Sequence, residues 1–135
     1  MDCIFCKIAQ GEIPTKKIME TANSLAFLDA FPLTKGHSLV IPKKHYEKIQ
    51  EMSKEEIADL FDTVKQITSK SEKIVNASLI AVHNGRESGQ EIPHVHVHVI
   101  PRKPEDNAGP VHMMFKNRPK LSDSEFDEIL SKLKD

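Results

Sequence analysis

Apolar positions recur at two different periods along this chain, and each period predicts a different kind of element. In "MSKEEIADLFDTVKQITSKSEKIV", Ile57, Leu60, Phe61, Val64, Ile67, Ile74 and Val75 fall near one stripe, which predicts a long amphipathic helix packed on something flat. Ser53 and Glu56 open it as a capping box, with Met52 and Ile57 as the hydrophobic staple. "LSDSEFDEILSKLKD" repeats the device, with Ser122 and Glu125 as the box and Leu121 and Phe126 as the staple. Lys132 and Lys134 suit the negative end of that helix's dipole, so a short C-terminal helix is expected. Shorter runs bounded by turn residues predict strands at 17–20, 24–29, 38–41, 79–83 and 95–100. Together these elements predict an α+β fold: a mainly antiparallel five-stranded sheet with one long and one short helix.

Composition and charge act mainly by exclusion. A chain of 135 residues is of ordinary size for one domain, so residues 1–135 are expected to form a single domain, with a tail and helix from about 103. No internal repeat is present. The 19 basic and 20 acidic residues are mixed along the chain and leave a formal charge of -1. That balance offers no broad surface to a nucleic-acid backbone, so any anion needs a local site. No apolar run approaches the roughly 18 residues of a membrane span, and Met1-Asp2-Cys3 begins no basic and apolar leader. A soluble cytoplasmic protein with neither membrane nor nucleic-acid partners is expected. Cys3 and Cys6, three positions apart, are too few for a disulfide framework and read instead as a metal or redox pair.

The chemistry concentrates in "PHVHVHVIPR". His94, His96 and His98 alternate there with Val95, Val97 and Val99, so a strand would turn three imidazoles to one face and three valines to the core. The rise of a strand separates the His94 and His98 Cα atoms by about 13 Å, so one zinc could take two neighbours of this row but hardly all three. The row is therefore a polar sheet face, a metal-binding pair, or a set of imidazoles gathered around an anion. Histidine suits the last role because it is nucleophilic when neutral and a donor and cation when protonated, all near neutral pH. The preceding "HNGRESGQ" holds Gly85 and Gly89, which permit a tight loop with exposed backbone N–H groups.

"HVHVHV" preceded by "GQEIP", with "FLDAFPLTKGHSLVIPKKH" upstream, resembles the histidine triad family of nucleotide hydrolases and transferases, closest to its nucleoside phosphoramidate hydrolase branch. The resemblance runs from "CIFCKIAQGEIP" through Arg102 and fades beyond it. It implies a homodimer joining two sheets and a purine nucleotide bound in a cleft beside the triad. By the same resemblance His96 attacks the α-phosphorus to form a covalent nucleotidyl-histidine that water hydrolyses. His98 would donate to a phosphoryl oxygen, and His37 in "TKGHSLVIP" would support the row from an adjacent strand. Asp29 matches a carboxylate that accepts the ribose hydroxyls, and Phe5, Ile8 and Phe27 match positions lining the base pocket. Periodicity alone places those three in the core. Gln90 and Gly89 match the phosphate side of the site.

Two departures from the family pattern bear on selectivity. The asparagine that reaches the phosphate most often stands where His83 is here, with Asn84 one place later, so either residue is a candidate. Glu91 occupies a position that is commonly Ser or Thr, and a carboxylate there repels an anionic phosphate unless it turns away or meets a cationic amine. Some relatives also complete a structural zinc site with the histidine of a "PKKH" segment and the first triad histidine, which implies Cys3, Cys6, His45 and His94 as ligands here. No catalytic metal is expected. "VHMMF", residues 111–115, is expected at a dimer edge. Dinucleoside polyphosphate hydrolysis, a nucleotide-binding regulatory role and a zinc hydrolase using the histidine row as its ligands stand as alternatives. The leaving group and base preference stay open.

Overall fold

The computed structural model describes residues 2–109 and 119–134. Its strands, β1 (Lys17–Glu20), β2 (Ser24–Leu28), β3 (Ser38–Pro42), β4 (Ser78–Ala81) and β5 (Val97–Pro101), form one antiparallel sheet in the order β1-β2-β3-β5-β4. Three helices accompany it: α1 (Ile4–Ala9), α2 (Lys54–Ser71) and α3 (Asp123–Lys134).

Alternation along the central strands divides the apolar residues between two faces. Ala26, Val40, Val97 and Val99 turn to one face and pack with Val95 and with Leu60, Val64 and Ile67 of α2. Leu25, Phe27, Leu39 and Ile41 turn to the other and pack with Cys3 and Phe5 around α1. Each Val, Leu, Ile or Phe side chain among them, fully buried, contributes roughly 1.5–3 kcal/mol, so a register slip of one residue in β3 or β5 would exchange core for surface and is strongly disfavoured. The observed register sets Phe27 opposite Leu39, Leu39 opposite His98, and His98 opposite Ala81. A row of side chains thus crosses the sheet from an aromatic ring to an imidazole.

The structure shifts several expected boundaries. The histidine strand begins at Val97 and not at 95, because the Val95 N–H donates to the Tyr46 carbonyl at 2.7 Å and so pairs with a loop instead of β3. Helix α2 ends at Ser71, whose carbonyl accepts from Ile74 and Val75 in a closing turn. Ile74 therefore leaves the helical stripe and lies against the turn at Gly36, where an added Cβ would meet its Cδ1 at 2.7 Å. Helix α1 was not anticipated, since it lacks a Ser, Thr, Asp or Asn cap. Cys3 takes that position, its Sγ accepting from the Cys6 N–H at 3.4 Å. Helix α3 forms as expected but buries none of its residues, and Phe126, Ile129, Leu130 and Leu133 stay exposed. The "VHMMF" segment lies outside the described residues. Among the described residues no helix is long and apolar enough to cross a membrane.

Candidate active site

Four imidazoles meet in a cleft of about 530 Å³ on the α1 face of the sheet, a size within the range of small-molecule sites. Phe5 and Ile8 of α1 form one wall with Phe27 and Leu39 of the sheet, and His37, His83, His96 and His98 line the other side. Phe5 stands edge-on to Phe27 and to His96, with ring centroids 5.9 and 5.0 Å apart. Of the three residues read from periodicity as core and from resemblance as pocket, Phe5 and Phe27 are both buried and part of the cleft lining, whereas Ile8 lines the cleft but is only half-buried.

The hydrogen-bond network assigns the tautomers of His96 and His98. His96 Nδ1 lies 2.7 Å from the carbonyl of His94, so Nδ1 carries the proton and Nε2 keeps its lone pair. At His37 the Leu33 N–H donates to Nδ1 at 3.0 Å, which places the ring proton on Nε2. His37 Nε2 then donates to His98 Nδ1 at 2.9 Å, and His98 is left with an N–H at Nε2. The outcome is a lone pair on His96 beside a donor on His98, with ring centroids 5.1 Å apart. Burial lowers the pKa of His96, and burial together with His96, His37 and His83 pushes His98 down to about 4. Burial also lowers His37, with Asp29 opposing. Neutral imidazoles at physiological pH are what a nucleophile and a fixed donor require.

Asp29, His37 and His98 also lie close enough together to be considered as a metal site. The relay argues otherwise. The nitrogens of His37 and His98 that face each other are 2.9 Å apart and already share a proton, whereas two imidazoles on one tetrahedral zinc sit about 3.4 Å apart. Asp29 accepts from the Phe31 N–H at 2.8 Å and places its other oxygen 3.6 Å from His37 Nε2.

The glycine loop departs from the expected anion cradle. Its Ser88 and Gly89 N–H groups close turns onto Gly85 and Arg86 carbonyls, and the Gly85 N–H goes to the Gln90 side chain. Gln90 is buried, accepting from Gly85 at 2.7 Å and donating to Glu47 and Ile92 carbonyls. It braces the loop and does not line the cleft, because three backbone groups satisfy its amide. Of the two residues left open at the phosphate, His83 faces the cleft and Asn84 does not. Asn84 accepts from the Ile49 N–H and donates to Gln50, on the α2 side. His83 is held by Ser88, whose carbonyl lies 2.7 Å from Nδ1, and by Gly89, where φ is +106° and a Cβ would stand 3.0 Å from that nitrogen. Gly89 is thus required for its backbone and for the space His83 occupies. Leu39, Ile92, Phe31 and Leu33 also line the cleft. Sequence reasoning missed them because their membership follows from strand register and loop path.

Behind the cleft, Cys3, Cys6, His45 and His94 converge as the resemblance implied, their donor atoms all within 4.8 Å of one another. Zn–S bonds near 2.3 Å and Zn–N bonds near 2.1 Å in a tetrahedron give S···N edges of about 3.6 Å and an N···N edge of about 3.4 Å. Here Cys3 and Cys6 Sγ lie 3.4 and 3.6 Å from His94 Nδ1, Cys6 Sγ 3.3 Å from His45 Nδ1, and the two nitrogens 3.2 Å apart. His94 donates Nε2–H to the Pro42 carbonyl at 2.8 Å, which frees Nδ1 as a ligand and orients the ring. Two thiols and two imidazoles at these separations fit a closed tetrahedral zinc site. Without a cation, burial and the Cys3 thiol push Cys6 up to about 11.

Residues 10–105 match the family model described as the HIT domain. The adenosine 5'-monophosphoramidase of Schizosaccharomyces pombe is 49% identical over 106 residues, covering 78% of each chain. The adenylylsulfatase of Arabidopsis thaliana is 37% identical over 132 residues, which are 96% of this chain and 66% of that one. Among solved structures, a zinc-bound histidine triad family protein from Mycobacterium smegmatis superposes with a TM-score of 0.75 at 30% identity, covering 99% of this chain and 96% of that one.

Proposed function

This chain belongs to the HIT domain family, in its nucleoside phosphoramidate hydrolase branch, and from that premise we propose that it hydrolyses purine nucleoside phosphoramidates and related nucleotides through a nucleotidyl group carried on His96. The observation that carries this reading is the pairing of a lone pair on His96 Nε2 with an N–H on His98 Nε2 in one cleft. His96 Nε2 attacks the α-phosphorus, the P–N bond breaks, and the amine leaves after taking a proton. Water then attacks the same phosphorus, freeing His96 and releasing a nucleoside monophosphate. His98 holds a phosphoryl oxygen through both steps, and the His94 carbonyl stabilises the charge that appears on His96 as it attacks. Asp29 accepts the ribose hydroxyls, and the base lies among Phe5, Ile8 and Phe27.

Cys3, Cys6, His45 and His94 hold one structural zinc, which when bound supplies a cross-link between α1, the segment around His45 and the start of the histidine row. The reading also takes the protein as a homodimer, supported by the exposed apolar face of α3 and by Ile80, exposed on the edge strand β4. Sedimentation at micromolar concentration is expected to give twice the 15.2 kDa chain mass, and a fully active monomer would refute the dimer.

The reaction itself is tested by turnover of adenosine phosphoramidate, a lysyl adenylate and a diadenosine polyphosphate side by side. Release of the nucleoside monophosphate, fastest from the P–N substrate, is the expected result. Preference for the polyphosphate would instead assign the chain to dinucleoside polyphosphate hydrolysis. Tight binding of all three with no turnover would make it a binding module.

A further inference from the structure

Among the described residues, the carboxylates and basic groups of the cleft are all of one sign: Asp29 and Glu91 line it, and no lysine or arginine does. Asp29 is engaged with the Phe31 N–H and His37, whereas the Glu91 carboxylate makes no hydrogen bond or ion pair among the described residues. Glu91 is exposed at the mouth of the cleft, and it follows the loop that ends at Gly89 and Gln90. It lines the same cleft as His83 and His96, close enough for its charge to act on His96, and no described side chain answers that charge. His83 adds to the same character, since its neutral form donates Nδ1–H to the Ser88 carbonyl and keeps an acceptor at Nε2.

A cleft that binds a substrate with several anionic groups needs cations to answer them. This one offers neutral imidazoles for a single phosphoryl group and a free carboxylate beside it. An unpaired carboxylate at the mouth of a site repels an anionic leaving group and attracts a cationic one. Resting on the phosphoramidate reading above, we propose that Glu91 selects the leaving group: it favours amines that carry a second, positively charged group and rejects leaving groups that carry a negative one. The substrate class is then a nucleoside monophosphate joined through nitrogen to a diamine or a basic amino-acid side chain. Nucleotides whose leaving group is phosphate or sulfate are disfavoured. The reaction is unchanged: the P–N bond breaks, water supplies the oxygen of the nucleotide product, and the amine leaves protonated with its second cation beside Glu91.

The test uses three adenosine phosphoramidates whose leaving amines share a pentamethylene chain and end in ammonium, methyl or carboxylate. In the wild-type protein kcat/KM is expected to fall in that order, with the ammonium form ahead of the carboxylate form by about tenfold, the scale of one attraction plus one repulsion at a partly exposed pair. The ratio should shrink as ionic strength rises, because the pair is open to solvent. Glu91→Gln is expected to bring the ratio towards unity and Glu91→Lys to invert it. A ratio that is the same in wild type and both variants overturns the assignment of Glu91. Failure of the protein to cleave any of the three, the methyl-ended one included, overturns the phosphoramidate reading and this inference with it. Cleavage with an unchanged ratio overturns this inference alone.

Discussion

Replacing His96 by alanine is expected to lower kcat by more than a hundredfold while leaving nucleotide binding largely in place. The effect follows from the ring's two nitrogens. Nδ1 is committed to the His94 carbonyl at 2.7 Å, so all nucleophilic capacity sits on Nε2, and the depressed pKa keeps that atom unprotonated at neutral pH. Among the other described imidazoles of the cleft, only His83 also keeps a lone pair at Nε2, and its ring is fixed at Nδ1 by the Ser88 carbonyl. His37 Nε2 and His98 Nδ1 occupy each other, and His98 presents a proton where His96 presents a lone pair. Alanine removes the attacking atom but leaves Asp29, Phe5, Ile8 and Phe27 to hold the nucleotide, so the loss should appear in kcat and little in affinity. His98→Ala should be severe but incomplete, since it deletes a donor and spares the nucleophile. Rapid quenching followed by mass spectrometry should trap a nucleotidyl adduct on His96 that is stable to base and labile to acid. If His96→Ala keeps more than about a hundredth of wild-type kcat, a loss of under roughly 2.7 kcal/mol, covalent catalysis by this residue is wrong.

The second large effect is expected from the metal cluster. The protein purified without added zinc should carry close to one zinc per chain, and Cys3→Ala combined with Cys6→Ala should abolish it. The four ligands come from the N-cap and first turn of α1, the segment before α2, and the residue that opens the histidine row. Helix α1 has only six residues, too short to persist on its own propensity, so its place against the sheet depends on Phe5 packing and on this cluster. In the double variant the cross-link is gone and the His45 and His94 imidazoles face each other with no cation between them. The expected cost is several kcal/mol, seen as a fall in Tm of roughly 10 °C or more for a chain of this length. Because Phe5 and Ile8 travel with α1, KM should rise more than kcat falls. None of the four residues that would hold the zinc lines the cleft. Unchanged Tm and metal content in the double variant would reject the site.

Much of the architecture is legible in local pattern. The capping box of α2 forms as read, with Ser53 Oγ accepting from the Glu56 N–H and Glu56 accepting from the Ser53 N–H. The valines between the histidines reach the core because a strand alternates by geometry and needs no partner to do so. Helix α1 was illegible because its cap is a cysteine, a residue with weak hydrogen-bonding character that the usual cap signals omit. The end of α2 was misjudged because Ile74 and Val75 continue the apolar spacing while serving a different contact, the turn at Gly36.

The candidate site divides along the same line. From the sequence come the histidine row, the cysteine pair and the residue types able to do the chemistry, since these depend on spacing within one segment. The tertiary structure decides what each imidazole is. His94, His96 and His98 are chemically identical in the sequence and are fitted to the three different roles proposed above, metal ligand, nucleophile and donor, because Pro42, the His94 carbonyl and His37 respectively hold one ring nitrogen of each. It also decides that His83 and not Asn84 enters the cleft, and that Gln90 turns its amide inward to the loop. The physical reason is that a tautomer is set by a hydrogen-bond partner. These partners lie as close as two residues and as far as 61 along the chain, and only the closed sheet brings them into reach.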